Sequence, residues 1–485
     1  MKPINKSLFL KSLECPVFAW HFYRNLVSKD SSLSDDFLIL EAKNIHNMAK
    51  MLFPDGVQVS GRMEDAVNQT RRLLSDKNVK TIFEPVFEYE GFVAKADIIC
   101  RSGDGWQIIE VKSGNKWKNK YISDMAYSAL IISKQIKCIS KAQMMLLSKD
   151  FRLGKPLDEL FTTVDCSFDV FTKADEFNNL LNYSKEILQA DNPQCGKLKM
   201  ACKNCSMFKE CTGKNIEYHI FDLPRLSKTV FDKLCDLGIF QIKDIPEDAE
   251  LTDMQKIVKE CVMKDKIFVS PGLKEGLGKI KFPAYYLDFE SVMTIYPLYD
   301  NIPPHTQILT QYSIHKCDEP GNVTGHFEYI ADHMKDCRKT IAEKLMEVLG
   351  TDGSIITYSS FEHQIITKLI KLCPDLKDQL QAICDRIVDF EEILRMNYYD
   401  KNFHGRTSIK KVLPVMISDM DYTELEIAEG GVALSAFAYM AMGLYDQDKI
   451  EQTKKNLLEY CKLDTLALVK MHKFLADVAD NKIKH

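Results

Sequence analysis

The spacing of apolar and polar positions changes several times along the chain. Residues 1–75 carry apolar positions mostly at helical spacing, which predicts helices. From Thr81 to Lys112 short apolar runs take over, in TIFEPVFEYE, FVAKADIIC and WQIIEVK, and these predict strands. Gly103-Asp104-Gly105 lies between the last two runs as a turn signal, so those runs should pair as a hairpin. Residues 121–150 return to helical spacing. Residues 192–214 are short, polar and rich in Cys, and 216–265 read as small helices with a turn at Gly238. The segment VSPGLKEGLGKIKFP has the Gly and Pro content of a linker and places the clearest boundary near 270–283. Beyond it, YYLDFE, QYSIHKC and SIITYSS predict strands, with helices filling most of the rest. The fold class is therefore α/β and multidomain: an α/β core within 1–214, a small helical connector at 215–270, and a second α/β domain at 283–485.

Composition narrows the class without naming it. A chain of 485 residues with 45% apolar and 27% charged positions is an ordinary globular protein of two or three domains. The net charge of −5 excludes a uniformly basic coat but leaves room for a local basic channel. Near the N-terminus, Lys11 and Glu14 interrupt the stretch a signal peptide would need, so a cytoplasmic setting with reduced thiols is expected. The longest uncharged run, Gly430 to Tyr445, falls short of the ~20 residues that cross a bilayer. Its Gly and Ala content predicts a closely packed helix, and no membrane partner is expected.

Three constellations carry chemistry. In the first, Glu110 and Lys112 are two apart in a predicted strand and share a face, and Asp97 on the neighbouring strand brings a second carboxylate. Two carboxylates can hold Mg²⁺ or Mn²⁺, and an adjacent Lys can orient water and offset phosphate charge. A solvated hairpin face is the alternative, but the charges sit within apolar strands, where an unpaired charge is costly. Glu84-Pro85, AKADIIC with Asp97, and WQIIEVKSG with Glu110 and Lys112 resemble the PD-(D/E)xK nuclease superfamily. The resemblance is strongest to RecB-like nucleases and the related nucleases of CRISPR adaptation. It implies a restriction-endonuclease-like core and assigns His46, in AKNIHNMAK, as a further metal ligand. In the helix YISDMAYSALII, Tyr121, Asp124 and Tyr127 keep the family pattern, whereas Ser128 replaces the usual Gln.

The second constellation is CKNCSMFKEC, a C-x2-C-x5-C cluster formed by Cys202, Cys205 and Cys211. Thiolates so spaced bind metal or an iron–sulfur cluster. With Cys195 as fourth ligand the site would be zinc. The alternative is carried by SLECPVFAWHFYR, which resembles the start of RecB-like nucleases holding a 4Fe-4S cluster. There one Cys before the nuclease core joins three after it, which implies Cys15, Cys202, Cys205 and Cys211 as the cluster ligands.

In the third, the predicted strand YYLDFES ends in Asp288 and Glu290 on one side, and LLEYCKLDTLALVKM places Tyr460 and Asp464 on one helical face. These resemble the first and last elements of a DnaQ-type DEDD exonuclease in an RNase H-like fold, with a tyrosine in the last motif. The resemblance implies two divalent ions, a water-positioning role for Tyr460, and 3′-to-5′ polarity. Its second acid corresponds best to Glu362 in SIITYSSFEHQ, where relatives have Asp; Asp389 is a lower-ranked substitute. The order of all the pieces, with TQYSIHK, GRTSIKKVLPVM and EYCKLDTLALVKM, resembles a bacterial family that fuses a RecB-like iron–sulfur nuclease to a DnaQ-like domain.

Positive charge suited to a phosphodiester strand occurs at Lys116, Lys118 and Lys120 around Trp117, and at Arg406, Lys410 and Lys411. Residues 216–265 are a candidate helix-hairpin-helix-like element around Gly238. The expectation is a metal-dependent nuclease acting on DNA rather than RNA. His46, Asp97 and Glu110 would hold metal beside Lys112, while Asp288, Glu290, Glu362 and Asp464 would hold metals beside Tyr460. The alternative is a nucleic-acid-binding or redox-sensing iron–sulfur scaffold with one or both sites inactive, a reading that Ser128 and Glu362 favour.

Overall fold

Apolar runs without strict alternation demand cover on both faces, and the first strands obtain it from helices. The computed structural model describes residues 2–27, 32–423 and 425–482. Its chain divides into two units: Met1–Lys197 with Thr294–Thr306, and Leu198–Met293 with Gln307–His485. Both combine helices with mixed sheets, the α/β multidomain class expected from the sequence.

The strands of the first unit are β1 (Ile4–Asn5), β2 (Val57–Gln58), β3 (Thr81–Phe83), β4 (Val86–Tyr89), β5 (Phe92–Lys95), β6 (Ile98–Ser102), β7 (Gly105–Val111), β8 (Ile139–Leu147) and β9 (Phe161–Asp165). Six of them form a sheet in the order β2-β3-β6-β7-β8-β9, and β1-β5-β4 form a smaller one. β6 and β7 are the expected hairpin, with Ser102 paired to Gly105 across the turn. Ile99, Ile108, Ala142 and Met144 pack in one core with the helix Lys120–Ser133. Ile98, Ile109, Val111 and Met145 pack in another with Ile45 and Ala49 of the helix Leu33–Met51. Helical spacing overreached at 139–147: this segment is β8, parallel to β7 and buried on both faces over its second half. A strand covered on both sides shows a continuous apolar run, which periodicity cannot tell from a helix.

The segment Thr294–Thr306 completes the first unit. Ile295 is buried within its second core, the ring of Tyr296 lies 5.8 Å from that of Phe151, and the Ile295 amide donates to Glu41 Oε1 at 2.7 Å.

The second unit holds β10 (Phe268–Val269), β11 (Ala284–Met293), β12 (Gln307–Glu319), β13 (Asn322–Ile330), β14 (Ser354–Thr357), β15 (Ile387–Asp389) and β16 (Tyr398–Tyr399). Its main sheet runs β13-β12-β11-β14-β15, antiparallel on one side of the central β11 and parallel on the other. Tyr285, Leu287 and Phe289 face a core shared with the helices Arg338–Leu349 and Phe361–Leu372. The intervening positions face the long helix Gln447–Ala479, where the Tyr286 hydroxyl meets His472 Nδ1 at 2.6 Å. Residues 216–265 form the expected small helices, Lys228–Asp236 and Asp253–Lys264, with Gly238 turning at φ +71°. The apolar run at 430 forms the helix Gly430–Ala441, and no helix among the described residues is long and apolar enough to cross a membrane.

Candidate functional site

Alternation along β11 sends Asp288 and Glu290 to the face opposite the apolar core, and a register shift after Glu290 ends the alternation there. Asp464 reaches the same place from the long helix, one turn beyond Tyr460. Ligand oxygens of Asp288, Glu290 and Asp464 all lie within 4.8 Å of one another. Among the described residues this is the one group of three or more His, Cys, Asp or Glu gathered so closely. Glu362 enters from the first turn of the helix Phe361–Leu372, just after Ser359, which holds a left-handed φ of +101°. A non-glycine residue in that region is strained, and here the strain sits in the turn that delivers an acid.

The electrostatics are those of crowded carboxylates. Burial raises Asp288, Glu290 and Glu362 well above the carboxylate range, and their mutual repulsion adds to it. Burial also raises Asp464, to about 6, against hydrogen bonds from the Tyr422 and Tyr460 hydroxyls and the charge of Lys410. Glu362 Oε2 is buried and has no hydrogen-bond partner among the described residues. The counter-charge facing the acids is Lys410, whose Nζ donates to the Ala428 carbonyl at 2.5 Å and lies 5.2 Å and 5.4 Å from the ring centres of Tyr460 and Tyr422. Cys461 donates its thiol proton to Asp288 Oδ2 at 3.1 Å. Asp389 caps the helix Phe390–Asn397 by accepting from the Glu392 amide at 3.1 Å.

Sequence reasoning missed Tyr422 and Cys461. The sequence shows Cys461 between two assigned residues but not where it points. Tyr422 belongs to a loop without periodicity, 42 residues before the acid it bonds, so no local pattern reports it.

In the first unit Asp97 Oδ2 accepts from the Val111 amide at 2.8 Å, and its Oδ1 lies 3.6 Å from His46 Nδ1. Glu110 is 2% exposed; its Oε1 accepts from Lys6 at 2.9 Å and Lys112 at 3.0 Å, while Oε2 has no partner among the described residues. Lys112 also donates to Asp124 at 3.1 Å and lies 5.2 Å from the centre of the Tyr121 ring. Burial opposes ionisation of Glu110, yet Lys6 and Lys112 hold it down to about 2. Burial, joined by the charge of Glu110, raises Asp97 to about 7. Burial also lowers His46, which favours its neutral, metal-ligating form.

His46, Asp97 and Glu110 are not drawn together as tightly as the acids of the second unit. Glu110 projects from the sheet face packed by Lys120–Ser133, whereas His46 rides on the helix covering the other face. Glu84 is engaged by Lys50 and Lys95, whose hydrogen bonds outweigh burial and hold it at about 2. Tyr127 donates to the Ile4 carbonyl at 2.7 Å, and Ser128 to the Asp124 carbonyl at 3.4 Å. Lys6 lies 104 residues before its partner Glu110 and gave no sequence signal.

Lys116, Lys118 and Lys120 are exposed around Trp117, itself 39% exposed. Cys202, Cys205 and Cys211 lie in the second unit on successive tight turns beginning with the 3-10 segment Met200–Asn204, and Cys202 Sγ accepts from the Lys199 amide at 3.4 Å. Cys195 is exposed; it and Cys15, at the start of the helix Pro16–Tyr23, belong to the first unit.

Residues 285–408 match a family described as a domain of unknown function, DUF2779. The chain is also 25% identical over 240 residues to an uncharacterized protein of Mycoplasma pneumoniae, covering 45% of this chain and 36% of that one. A counterpart in Mycoplasma genitalium is 24% identical over 42% of this chain and 34% of its own. An uncharacterized protein of Ureaplasma parvum is 37% identical over 16% of this chain and 12% of its own length. The aligned region thus spans about a third of the Mycoplasma relatives.

Proposed function

We propose that this protein is a metal-dependent nuclease that hydrolyses DNA phosphodiester bonds in the cytoplasm, with an exonuclease-like site in the second unit. The observation that carries the reading is the convergence of Asp288, Glu290, Glu362 and Asp464, four acids enclosed together with Lys410 as the facing cation. Such a donor set fits Mg²⁺ or Mn²⁺: it is all oxygen, the ligand atoms of Asp288, Glu290 and Asp464 are within reach of one ion, and Glu362 offers a buried oxygen with no partner among the described residues. When bound, divalent ions would activate water and stabilise the charge on the phosphate.

The chain's own groups have separate tasks. Tyr460 and Tyr422 fix Asp464 by hydrogen bonds, and the Tyr460 hydroxyl would orient a water nucleophile. Cys461 fixes Asp288. Lys410 balances the acids and can turn to a phosphate once cations enter. The acid-bearing strand at the centre of a sheet that is antiparallel on one side and parallel on the other supports the RNase H-like reading, from which 3′-to-5′ polarity would follow.

In the first unit, Asp97 and Glu110 would hold a metal with His46, and Glu110 Oε2, which has no partner among the described residues, fits that role. Lys112 would orient water there, and the exposed Lys116–Trp117–Lys118 stretch would grip the strand. The thiols of the Cys-rich loop would take part in a 4Fe-4S cluster, with zinc as the other occupant. A scaffold role for the first unit is favoured by one observation: Lys6 and Lys112 already neutralise much of the charge of Glu110.

The test is degradation of end-labelled single- and double-stranded DNA and RNA by anaerobically purified protein with Mn²⁺ or Mg²⁺, beside Asp288→Ala and Lys112→Ala. Loss of 3′-end trimming in Asp288→Ala is expected. Retained degradation in Lys112→Ala assigns the first unit to gripping. If neither variant changes degradation, the nuclease reading fails.

A further inference from the structure

The second unit contains a cavity of about 600 Å³ that touches the Cys-rich loop at Cys205 and otherwise lies outside the proposed chemistry. Lys203 and Lys209 line it from the Cys-rich loop, and Arg406 and Lys411 from a segment two hundred residues later. Both walls pack on the segment 219–222: from the Cys-rich loop the Phe208 ring lies 4.9 Å from that of His219 and 5.4 Å from that of Phe221. His404 Nδ1 lies 2.9 Å from Asp222 Oδ2, and Gly405 holds φ +68° where a Cβ would stand 1.7 Å from the Asp222 carbonyl oxygen. Of the two acids in the lining, Glu217 and Asp222, the latter is thus engaged by His404. Among the described residues, Lys203, Lys209, Arg406 and Lys411 form no salt bridge, and Asp222 is the acid whose charge reaches Lys203 and Arg406.

His219 also lines the cavity and supplies an independent signal. It is 3% exposed, and its Nδ1 accepts from the Phe221 amide at 3.0 Å. That bond leaves the ring proton on Nε2, which is buried and has no partner among the described residues. An unmet buried donor is costly, and a ligand with acceptor oxygens removes the cost. Four unpaired cations around it select an anionic ligand, and tetrahedral oxygens suit both the guanidinium fork and the ammonium groups.

We propose that this cavity is a phosphate-binding site, in which His219 Nε2 and the Lys203, Lys209, Arg406 and Lys411 side chains hold one or more phosphate groups. The phosphate can come from a nucleic-acid strand or from a free phosphate compound. Lys411 follows Lys410 directly on the helix Ile409–Met416, so one helix carries a cation of the cavity and the cation of the acidic centre. The site itself stands without the nuclease reading, because it rests on no metal and no hydrolysis.

The test uses the full-length protein in EDTA, so that cleavage plays no part. Anisotropy of a labelled single-stranded oligonucleotide is followed across a salt series, and inorganic phosphate is titrated by calorimetry. The variant is Arg406→Gln/Lys411→Gln, both exposed, with the exposed pair Lys371→Gln/Lys377→Gln outside the cavity as charge control. The cavity variant should lose about tenfold in oligonucleotide affinity, and the slope of log K against log salt should fall by about 1.4, the value for two lost contacts to a single strand. Loss of phosphate binding with oligonucleotide binding intact identifies a free phosphate compound as the occupant and equally supports the site. The proposal is overturned if both ligands bind the variant as they bind wild type, or if the control pair loses as much as the cavity pair.

Discussion

Asp464→Asn should make the metal-free protein more stable while removing its response to divalent cations. Burial raises the Asp464 carboxyl from 3.8 to about 6, and at 1.36 kcal/mol per pH unit its ionised form at pH 8 costs on the order of 3 kcal/mol. The sign follows from linkage. A carboxyl raised in the folded state contributes stability that is present below 3.8 and lost as pH rises through about 6. Asparagine keeps an acceptor for Tyr422 and carries no charge, so it also relieves Asp288, Glu290 and Glu362, each of which is raised by Asp464. In scanning calorimetry with EDTA at pH 8, the variant should melt several degrees above wild type, at roughly 2–4 °C per kcal/mol for large domains. The gain should shrink towards pH 4, where the wild-type acid is protonated. Mn²⁺ at a hundred times its Kd should raise wild-type stability by about 2.7 kcal/mol and leave the variant nearly unmoved. A variant that melts below wild type at pH 8 in EDTA, or that keeps the full Mn²⁺ response, would refute the reasoning.

Three further outcomes are expected. Lys112→Met leaves the buried Glu110 with Lys6 as its remaining cation and should lower stability in urea by about 3 kcal/mol, with partial recovery in Glu110→Gln/Lys112→Met. Glu41 is raised from 4.5 to about 7 by burial, so its contribution is lost as pH rises through 7; Glu41→Gln should flatten that loss and gain about 1–3 kcal/mol at pH 8. Gly405→Ala combines a left-handed φ of +68° with a clash against the Asp222 carbonyl, and should cost more than about 2 kcal/mol by thermal melting.

Local pattern reported local structure. The β6–β7 turn was written in Gly103-Asp104-Gly105, and the shared faces of Asp288 with Glu290 and of Tyr460 with Asp464 followed from strand and helix periods. β8 escaped because burial on both faces erases the period on which the reading depends. At the sites, side chains on regular elements were found and those arriving from afar were not. Lys6 reaches Glu110 across the fold, and Tyr422 reaches Asp464 from a loop. His46, expected as a metal ligand, stands 3.6 Å from Asp97, but sequence carries no information on which face of the sheet its helix covers.

The placement of Thr294–Thr306 constrains how the chain is made and how it can be cut. Ile295 fills a core whose other buried members end at Leu160, and its amide donates to Glu41. During synthesis the first unit therefore waits, incomplete, while the strand that bears Asp288 and Glu290 emerges, and it closes only after Thr306 is available. A fragment ending near Lys197 would expose apolar surface and leave a buried carboxylate without its donor. The two candidate chemistries are thus joined by more than a linker: a strand carrying one of them leads directly into a piece of the other's core.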